Sequence, residues 1–364
     1  MRQHRLAVGI SQQALAEQVG IARQAIHAIE TDRYLPNTLV ALRLARALQC
    51  TVESLFALPE APLRLAAELP ADTPELADPR RVQIAQVGTR TMAYPLDGSA
   101  GALNAADGLA TGVNPATTVD LLNRRSTLDQ TVVVSGCDPA LAILATHLRR
   151  QHAQVRLIWR PGNSMTALRS LARGEVHAAG IHLRDPHSGV SNLPFITQEL
   201  AGRPITVVGL CDWQQGLLLA PGNPKQIVRP ADLTRPDITI TNRAPGAGSR
   251  LLLDAWLAKD GVPSARVRGY EREAASHFAV GEVIAAGAAD AGPGILSAAR
   301  AFGLDFLPLQ EEPVDLVIPA AYLPAAAMQA VLDVAVSGPY RRELAALGGY
   351  DSRRTGTIVA ELGS

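Results

Sequence analysis

Residues 11–30 read SQQALAEQVGIARQAIHAIE, and their periodicity decides how the start of the chain folds. Ala14, Leu15 and Val19 place an apolar stripe on one short helix, and Ile26 and Ile29 place another on a second. The two stripes can pack across a turn at Gly20. Ser11 is a natural N-cap for the first helix. Gln12, in the first turn, sits where backbone amides and a side-chain amide can hold a phosphate. Arg23, Gln24, His27 and Ala28 form the outward face of the second helix, and Arg and Gln carry the forked donors and acceptors that match base edges in the major groove.

Taken whole, residues 3–56 resemble the lambda-repressor and Cro type of helix-turn-helix domain, the XRE family. The likeness lies in the SQ opening, the LAEQVGI run into the turn, RQAIHAIE, the loop at 32–37 and the closing ALRLARALQCTVESLF. The resemblance implies that Gln12 touches the DNA backbone, that Arg23, Gln24, Ala25 and Ala28 approach bases, and that Arg33, Tyr34 and Asn37 lie near phosphates. It also implies a double-stranded operator as partner and a homodimer, because one head of this type reads only a half-site. Ala22 departs from the family pattern, standing where a Ser or Thr usually caps the second helix. A missing cap costs about 1 kcal/mol and weakens the helix start without changing the fold.

The chain has 364 residues, enough for two or three domains, and nearly half are apolar, so core burial is not limiting. Formal charge is zero overall. Within residues 1–58, six Arg stand against four Asp plus Glu, a net of +2 that gives modest support for DNA. The three cysteines, Cys50, Cys137 and Cys211, are widely spaced, with no CxxC and no local Cys/His cluster, so no protein-bound cation is expected. A reduced protein fits this usage. No charged leader with an apolar core opens the sequence, and no run approaches the roughly 20 apolar residues of a membrane span. The expectation is a cytoplasmic protein with no membrane partner.

The organisation expected along the chain is a multidomain one. An all-α head (1–58) leads into a Pro-, Ala- and acid-rich linker (59–81) and then a small β-rich bridge (82–130), opened by a hairpin in RVQIAQVGTRTMAYPLDG. From residue 131 strands alternate with helices of about a dozen residues, the pattern of parallel α/β units. One series runs TVVVSGCD, PALAILATHLRRQ, VRLIW, SMTALRSLARG, HAAGIHL and PITVVGLC. A second runs GLLLAP, DITITN, SRLLLDAWLAKDG, SHFAVGEVIAAG and ADAGPGI, with FLPL and DLVIP as return strands before two closing helices. Two series make two lobes over 131–355, leaving 356–364 as a tail. Ligands in such sheets bind in the crevice at the carboxyl ends of the strands.

This second part resembles the type II periplasmic binding proteins, and in particular the cytoplasmic form found behind helix-turn-helix heads and at the end of some molybdopterin-biosynthesis proteins. The marks are SGCDPAL, LARGEVHAAGIHL, QQGLLLAPGNP, TNRAPGAGSRLLLD, GYERE, GAADAGPGI and ALGGYDSRRTG, in that order. The resemblance implies a two-lobed binder, and molybdate or tungstate as the associated effector rather than any tightly bound cofactor.

Three loops have the physics to hold an anion. Ser135, Gly136 and Cys137 lie between a strand and a helix start, where free amides and the helix dipole favour negative charge, although Asp138 could cap that helix instead. Asn163, Ser164 and Thr166 open the next helix. In TNRAPGAGSR, Gly248 lets backbone approach closely, and Arg243, Ser249 and Arg250 supply charge and donors, but no GK[ST] follows to make a P-loop. Tyr270 and His277 could close the cleft from the second lobe, and Trp213 and Gln214 sit near the crossover. Glu271 and Glu273 would repel an oxyanion unless paired. Without HExxH, GxSxG or a histidine beside an evident nucleophile, the chain does not read as an enzyme. The function expected is a ligand-responsive one-component transcription regulator. The alternatives are a sensor of an organic or sulfur-containing solute, or a solute-binding protein whose head contacts protein.

Overall fold

A computed structural model describes residues 1–31, 33–56, 63–74, 79–112, 116–122, 128–185 and 188–363. The chain forms two units, Met1–Leu63 and Arg64–Ser364.

The first unit is helical throughout: α1 (Arg2–Val8), α2 (Gln12–Val19), α3 (Arg23–Glu30), α4 (Thr38–Ala47) and α5 (Val52–Leu55). Ser11 caps α2 by accepting from the Ala14 amide at 3.1 Å, and Gly20 ends it in the left-handed region at φ 75°. Ala22 at the start of α3 offers no side-chain cap, as its methyl dictates. Leu15, Val19, Ile26, Ile29, Leu44 and Leu48 fill the core. Beside it, Arg5 donates to Glu30 at 2.6 and 3.1 Å and to the Ile10 carbonyl at 2.9 Å, a largely buried ion pair that ties α1 to α3.

The second unit begins earlier than its composition suggests. Residues 59–81 read as a linker, yet β1 (Arg64–Glu68) lies inside them and pairs with β5 (Ala116–Leu121) from Arg64↔Asp120 to Glu68↔Ala116. The Pro- and acid-rich surroundings mask an alternation in which Ala67 and Leu69 turn inward. With β2 (Arg80–Val87), β3 (Arg90–Pro95) and β4 (Gly108–Thr111), these strands close into a barrel of order β1-β3-β2-β4-β5, with α6 (Gly98–Ala102) between β3 and β4. The expected hairpin is β2–β3, closed at Val87↔Arg90 with Gly88 at φ 59°. Val82 and Ile84 fill the barrel, while Ala85 and Val87 face the opposite way and pack on the α/β part. The β-rich bridge is thus a closed barrel docked on its neighbour: Tyr94 Oη donates to the Glu175 carbonyl at 2.6 Å, and Arg156 donates to Asp107 at 2.7 and 2.9 Å.

The α/β part carries β6 (Thr131–Gly136), α7 (Ala140–Gln151), β7 (Arg156–Pro161), α8 (Ser164–Ala172), β8 (Ala178–Ile181), α9 (Leu193–Glu199) and β9 (Ile205–Leu219). There follow β10 (Asn242–Arg243), α10 (Gly248–Lys259), β11 (Glu273–Ala274), α11 (His277–Ala285), β12 (Ala291–Ile295), α12 (Leu296–Ala301) and β13 (Asp305–Pro319). The chain closes with α13 (Ala326–Ala335), α14 (Gly338–Leu347), β14 (Tyr350–Asp351) and β15 (Ile358–Leu362). Every helix expected here forms, but the strands differ. PITVVGLC and GLLLAP are one 15-residue strand, β9, and FLPL and DLVIP are one strand, β13, paired antiparallel from Asp305↔Leu219 to Pro319↔Ile205. Asp212, Gln214 and Gln215, which suggest a break, lie where the strands pass from one lobe into the other. DITITN, expected as a strand, gives only an isolated bridge, Ile240↔Ala291, and the two-residue β10.

The sheet runs β12-β9-β13-β8-β6-β7, and β14 and β15 pair with β9 as well. The free edge of β9 is therefore shared by β12, β14 and β15, which is why Ile358–Leu362, within the stretch expected as a tail, form a strand. The first lobe is built on β6, β7 and β8 with α7 and α8, and the second on β12 with α10 and α11. One apolar core, from Val132 and Leu141 through Trp213 to Ile284 and Leu344, runs through both. No helix among the described residues is long and apolar enough to cross a membrane.

His177, just before β8, accepts from the Val133 amide through Nδ1 at 3.0 Å, and burial pushes its pKa down to about 4. The unfolded chain takes this proton near pH 6.5 and the folded one only near 4, so stability is complete above about 6.5 and falls as pH drops between the two, by at most about 1.4 kcal/mol per unit. Denaturant unfolding at pH 7 and 5 is expected to show a smaller loss for His177→Gln, whose amide oxygen can keep the Val133 bond. An equal loss in both proteins would remove His177 as the cause.

Candidate functional site in the cleft

The polar centre of the second unit gathers around His182, the residue that follows β8. Its Nε2 lies 3.1 Å from Cys137 Sγ and its Nδ1 lies 3.2 Å from Glu312 Oε2. Its backbone amide donates to Ser164 Oγ at 3.2 Å. The Trp213 ring meets it edge-on with centroids 4.6 Å apart, and the His277 ring lies 5.8 Å away. Gly248, at the start of α10, comes so near that a Cβ there would stand 2.1 Å from the His182 carbonyl oxygen. The starts of α7, α8, α10 and α11, two from each lobe, thus surround one imidazole, and their dipoles point positive ends at the same volume.

Electrostatics set the protonation states. Burial would lower the His182 pKa, but Cys137 and Glu312 outweigh it and push it up to about 9. Burial would raise the Cys137 thiol, yet the charge and hydrogen bond of His182 hold it below its ordinary value. His277 is driven well below its usual range by burial first, then by Arg243 and His182, and stays neutral.

Both ring nitrogens of His277, Arg243 Nη1 and Ser135 Oγ are buried with no hydrogen-bond partner among the described residues. Glu312 Oε1 shares that state. Arg243 is held by the Ala274 and Ala275 carbonyls through Nε (3.2 Å) and Nη2 (3.3 Å), which leaves Nη1 uncommitted. Burying polar groups unpaired costs free energy, so a cluster of them marks a volume suited to a ligand.

Several expected residues meet here. Ser135 and Gly136 end β6 and Cys137 follows it, Ser164 opens α8, and Arg243, Gly248, Ser249 and His277 come from the second lobe. Asn163 caps α8 through the Thr166 amide at 2.8 Å and reaches across to the Pro245 carbonyl at 3.4 Å, so Asn163 and Thr166 serve the helix start and the contact between lobes. Asp138 accepts from the Ala140 amide at 2.9 Å, the capping alternative.

Others fall elsewhere. The Gln214 backbone N–H donates to the Gly349 carbonyl at 2.8 Å, and strand alternation turns the side chain of its neighbour Gln215 inward instead. Oriented to satisfy both ends, the Gln215 amide accepts from Trp213 Nε1 at 3.0 Å and donates to Ser249 Oγ at 3.0 Å. Tyr270 bonds Asp254 at 2.5 Å and stacks under Arg250, whose guanidinium pairs with Glu271 and Glu273; these five form their own cluster, and the two glutamates are paired.

Sequence reasoning missed His182, Gln215 and Glu312. His182 had a signal, since it follows HAAGI at a strand's carboxyl end as Cys137 follows SG at the end of β6. Two expectations change. A histidine does stand beside a nucleophile, and Cys137, His182 and His277 form a Cys/His group whose ligand atoms lie within 4.8 Å of one another. Sequence spacing conceals both because the fold, not the local chain, brings the residues together.

In the helical unit, Arg23, Gln24 and His27 are exposed, Ala25 and Ala28 half-buried, and a groove is lined by Gln12, Ala22, Arg23, Gln24 and His27. Arg33 and Tyr34 are exposed, while Asn37 caps α4 through the Val40 amide at 3.0 Å. Gln12 Nε2 donates inward to Glu30 at 2.6 Å.

The PBP superfamily domain model matches residues 145–336, and a helix-turn-helix model matches residues 1–55. The chain belongs to the PBP superfamily, with an XRE-type helix-turn-helix domain ahead of its two-lobed α/β part. An uncharacterized protein of Bacillus subtilis, YvgK, is 34% identical over 230 residues, covering 63% of this chain and 74% of that protein. An uncharacterized HTH-type transcriptional regulator of Methanothermobacter thermautotrophicus is 46% identical over 61 residues, 16% of this chain and 88% of that protein. Among solved structures, the sulfate-binding protein SubI from Mycobacterium tuberculosis overlaps 60% of this chain and 86% of its own, at 15% identity and a TM-score of 0.46.

Proposed function

We propose that the chain is a cytoplasmic, non-catalytic one-component transcription regulator whose cleft senses a small oxyanion such as molybdate or tungstate. The observation that carries this reading is the set of buried polar atoms without partners, Ser135 Oγ from the first lobe and Arg243 Nη1 with the His277 ring from the second. An anion satisfies them only when the lobes are together, so it stabilises the closed arrangement over the open one. A difference of about 1–3 kcal/mol between the two arrangements changes operator affinity about 5- to 150-fold. Exposed Leu35, Leu39 and Leu42 on the helical unit support a homodimer able to read two half-sites.

Glu312 Oε1 favours a second reading, an organic solute that carries an N–H donor beside its anionic group. A thermal-shift panel of molybdate, tungstate, sulfate, phosphate and organic acids separates the two. A molybdate or tungstate shift that disappears in Ser135→Ala and weakens in Ser164→Ala is the expected result. Shifts with organic acids alone would transfer the cleft to the second reading, and no shift with any oxyanion would end the first.

A further inference from the structure

Cys137, His182 and His277 present Sγ and ring nitrogens within 4.8 Å of one another. A tetrahedral zinc-type site places sulfur and nitrogen ligands about 3.3–3.6 Å apart, so side-chain rotation closes the gap. His182 has the required orientation: Nδ1 is held by Glu312 at 3.2 Å, which turns Nε2 toward Cys137. A ligating imidazole is commonly fixed this way, by a carboxylate on its far nitrogen. His277 is fully buried with neither nitrogen bonded, and an imidazole in that state lacks a partner that a metal would supply.

We propose that Cys137, His182 and His277 form a three-ligand site for a zinc-class metal ion, with Glu312 as the carboxylate that positions His182. One thiolate and two imidazoles select a borderline or soft cation and not magnesium or calcium, which need oxygen ligands. A catalytic cysteine would use Cys137, His182 and Glu312 but leave His277 without a role. The metal uses all four. Cys137 and His182 belong to the first lobe and His277 to the second, so the ion clasps the lobes together. Three protein ligands also leave a coordination position open, and an anion taking it can accept from Arg243 Nη1 and Ser135 Oγ. The inference rests on the cleft being the ligand site, not on the identity of the anion.

The test titrates the full, reduced, metal-free chain with cobalt(II) alone, without any oxyanion. Expected are saturation at one equivalent, a thiolate-to-cobalt charge-transfer band and the strong visible bands of a tetrahedral ion, all displaced by zinc. Cys137→Ser is expected to lose the charge-transfer band, Cys50→Ser to keep it, His277→Ala to lose the tetrahedral bands, and Glu312→Gln to bind about 10- to 100-fold more weakly. No charge-transfer band in the wild type, or its survival in Cys137→Ser, overturns the site. Should the variants fail to fold, X-ray absorption of the zinc-loaded wild type decides: one sulfur and two imidazole neighbours support it, and a sulfur-free shell overturns it. A cobalt band without an oxyanion thermal shift removes the oxyanion reading alone. The reverse result removes the metal alone.

Discussion

Replacing Arg23 and Gln24 together with alanine is expected to lower operator affinity by roughly thirtyfold to ten-thousandfold while leaving the helical unit folded. Each good bidentate contact to a base edge contributes about 1–3 kcal/mol, so two contribute up to about 2–6 kcal/mol, less whatever coupling these neighbouring residues share, with about 1.4 kcal/mol for each factor of ten. Both side chains are exposed at the start of α3, and the core is formed by other residues, Leu15, Ile26 and Leu44 among them, so truncation leaves packing intact. The uncapped start at Ala22 predicts a compensating gain: Ala22→Ser restores an acceptor for the first turn of α3 and adds about 1 kcal/mol to the stability of that helix. Gel-shift titration against the native operator, with circular dichroism as the folding control, checks the double variant. Unchanged affinity with an intact spectrum would place base recognition elsewhere.

The helical unit was legible because its physics is local. Leu15, Val19, Ile26 and Ile29 repeat at helical spacing, and Ser11 and Gly20 mark the ends of α2 by capping chemistry alone. The helices of the α/β part were legible for the same reason. What was not legible depends on tertiary pairing. β9 and β13 each read as two strands because Asp212, Gln214, Glu311 and Glu312 interrupt their apolar runs, and only their pairing across the lobes shows them as continuous. Gln215, not Gln214, enters the site because a strand's two faces alternate, and register cannot be fixed from an apolar run flanked by turns. Tyr270, expected in the cleft, instead satisfies its hydroxyl on Asp254 and its ring under Arg250, a pairing that depends on how the loop packs against α10. The Cys137–His182–Glu312 chain and orphaned His277 come from four separate segments, so no spacing rule could assemble them.

Gly248→Ala is expected to abolish the response to ligand while preserving DNA binding. An added Cβ would stand 2.1 Å from the His182 carbonyl oxygen and 2.5 Å from its ring Cε1, and backbone of the first lobe cannot yield by that amount. Alanine suits the first turn of α10 at least as well as glycine does, so the second lobe folds normally and the clash arises only when the lobes come together. The lobes must therefore separate, which draws His277 and Arg243 away from Ser135, Cys137 and His182. A ligand held by both lobes then loses half of its contacts, and its preference for the closed arrangement goes with them. Operator affinity with and without ligand, which should differ about 5- to 150-fold in the wild type, is expected to be the same in the variant. Small-angle scattering on residues 64–364 should show the variant more extended in saturating ligand than the wild type. A variant that keeps the wild-type shift would mean that Gly248 does not control closure, and that the ligand is held by one lobe alone.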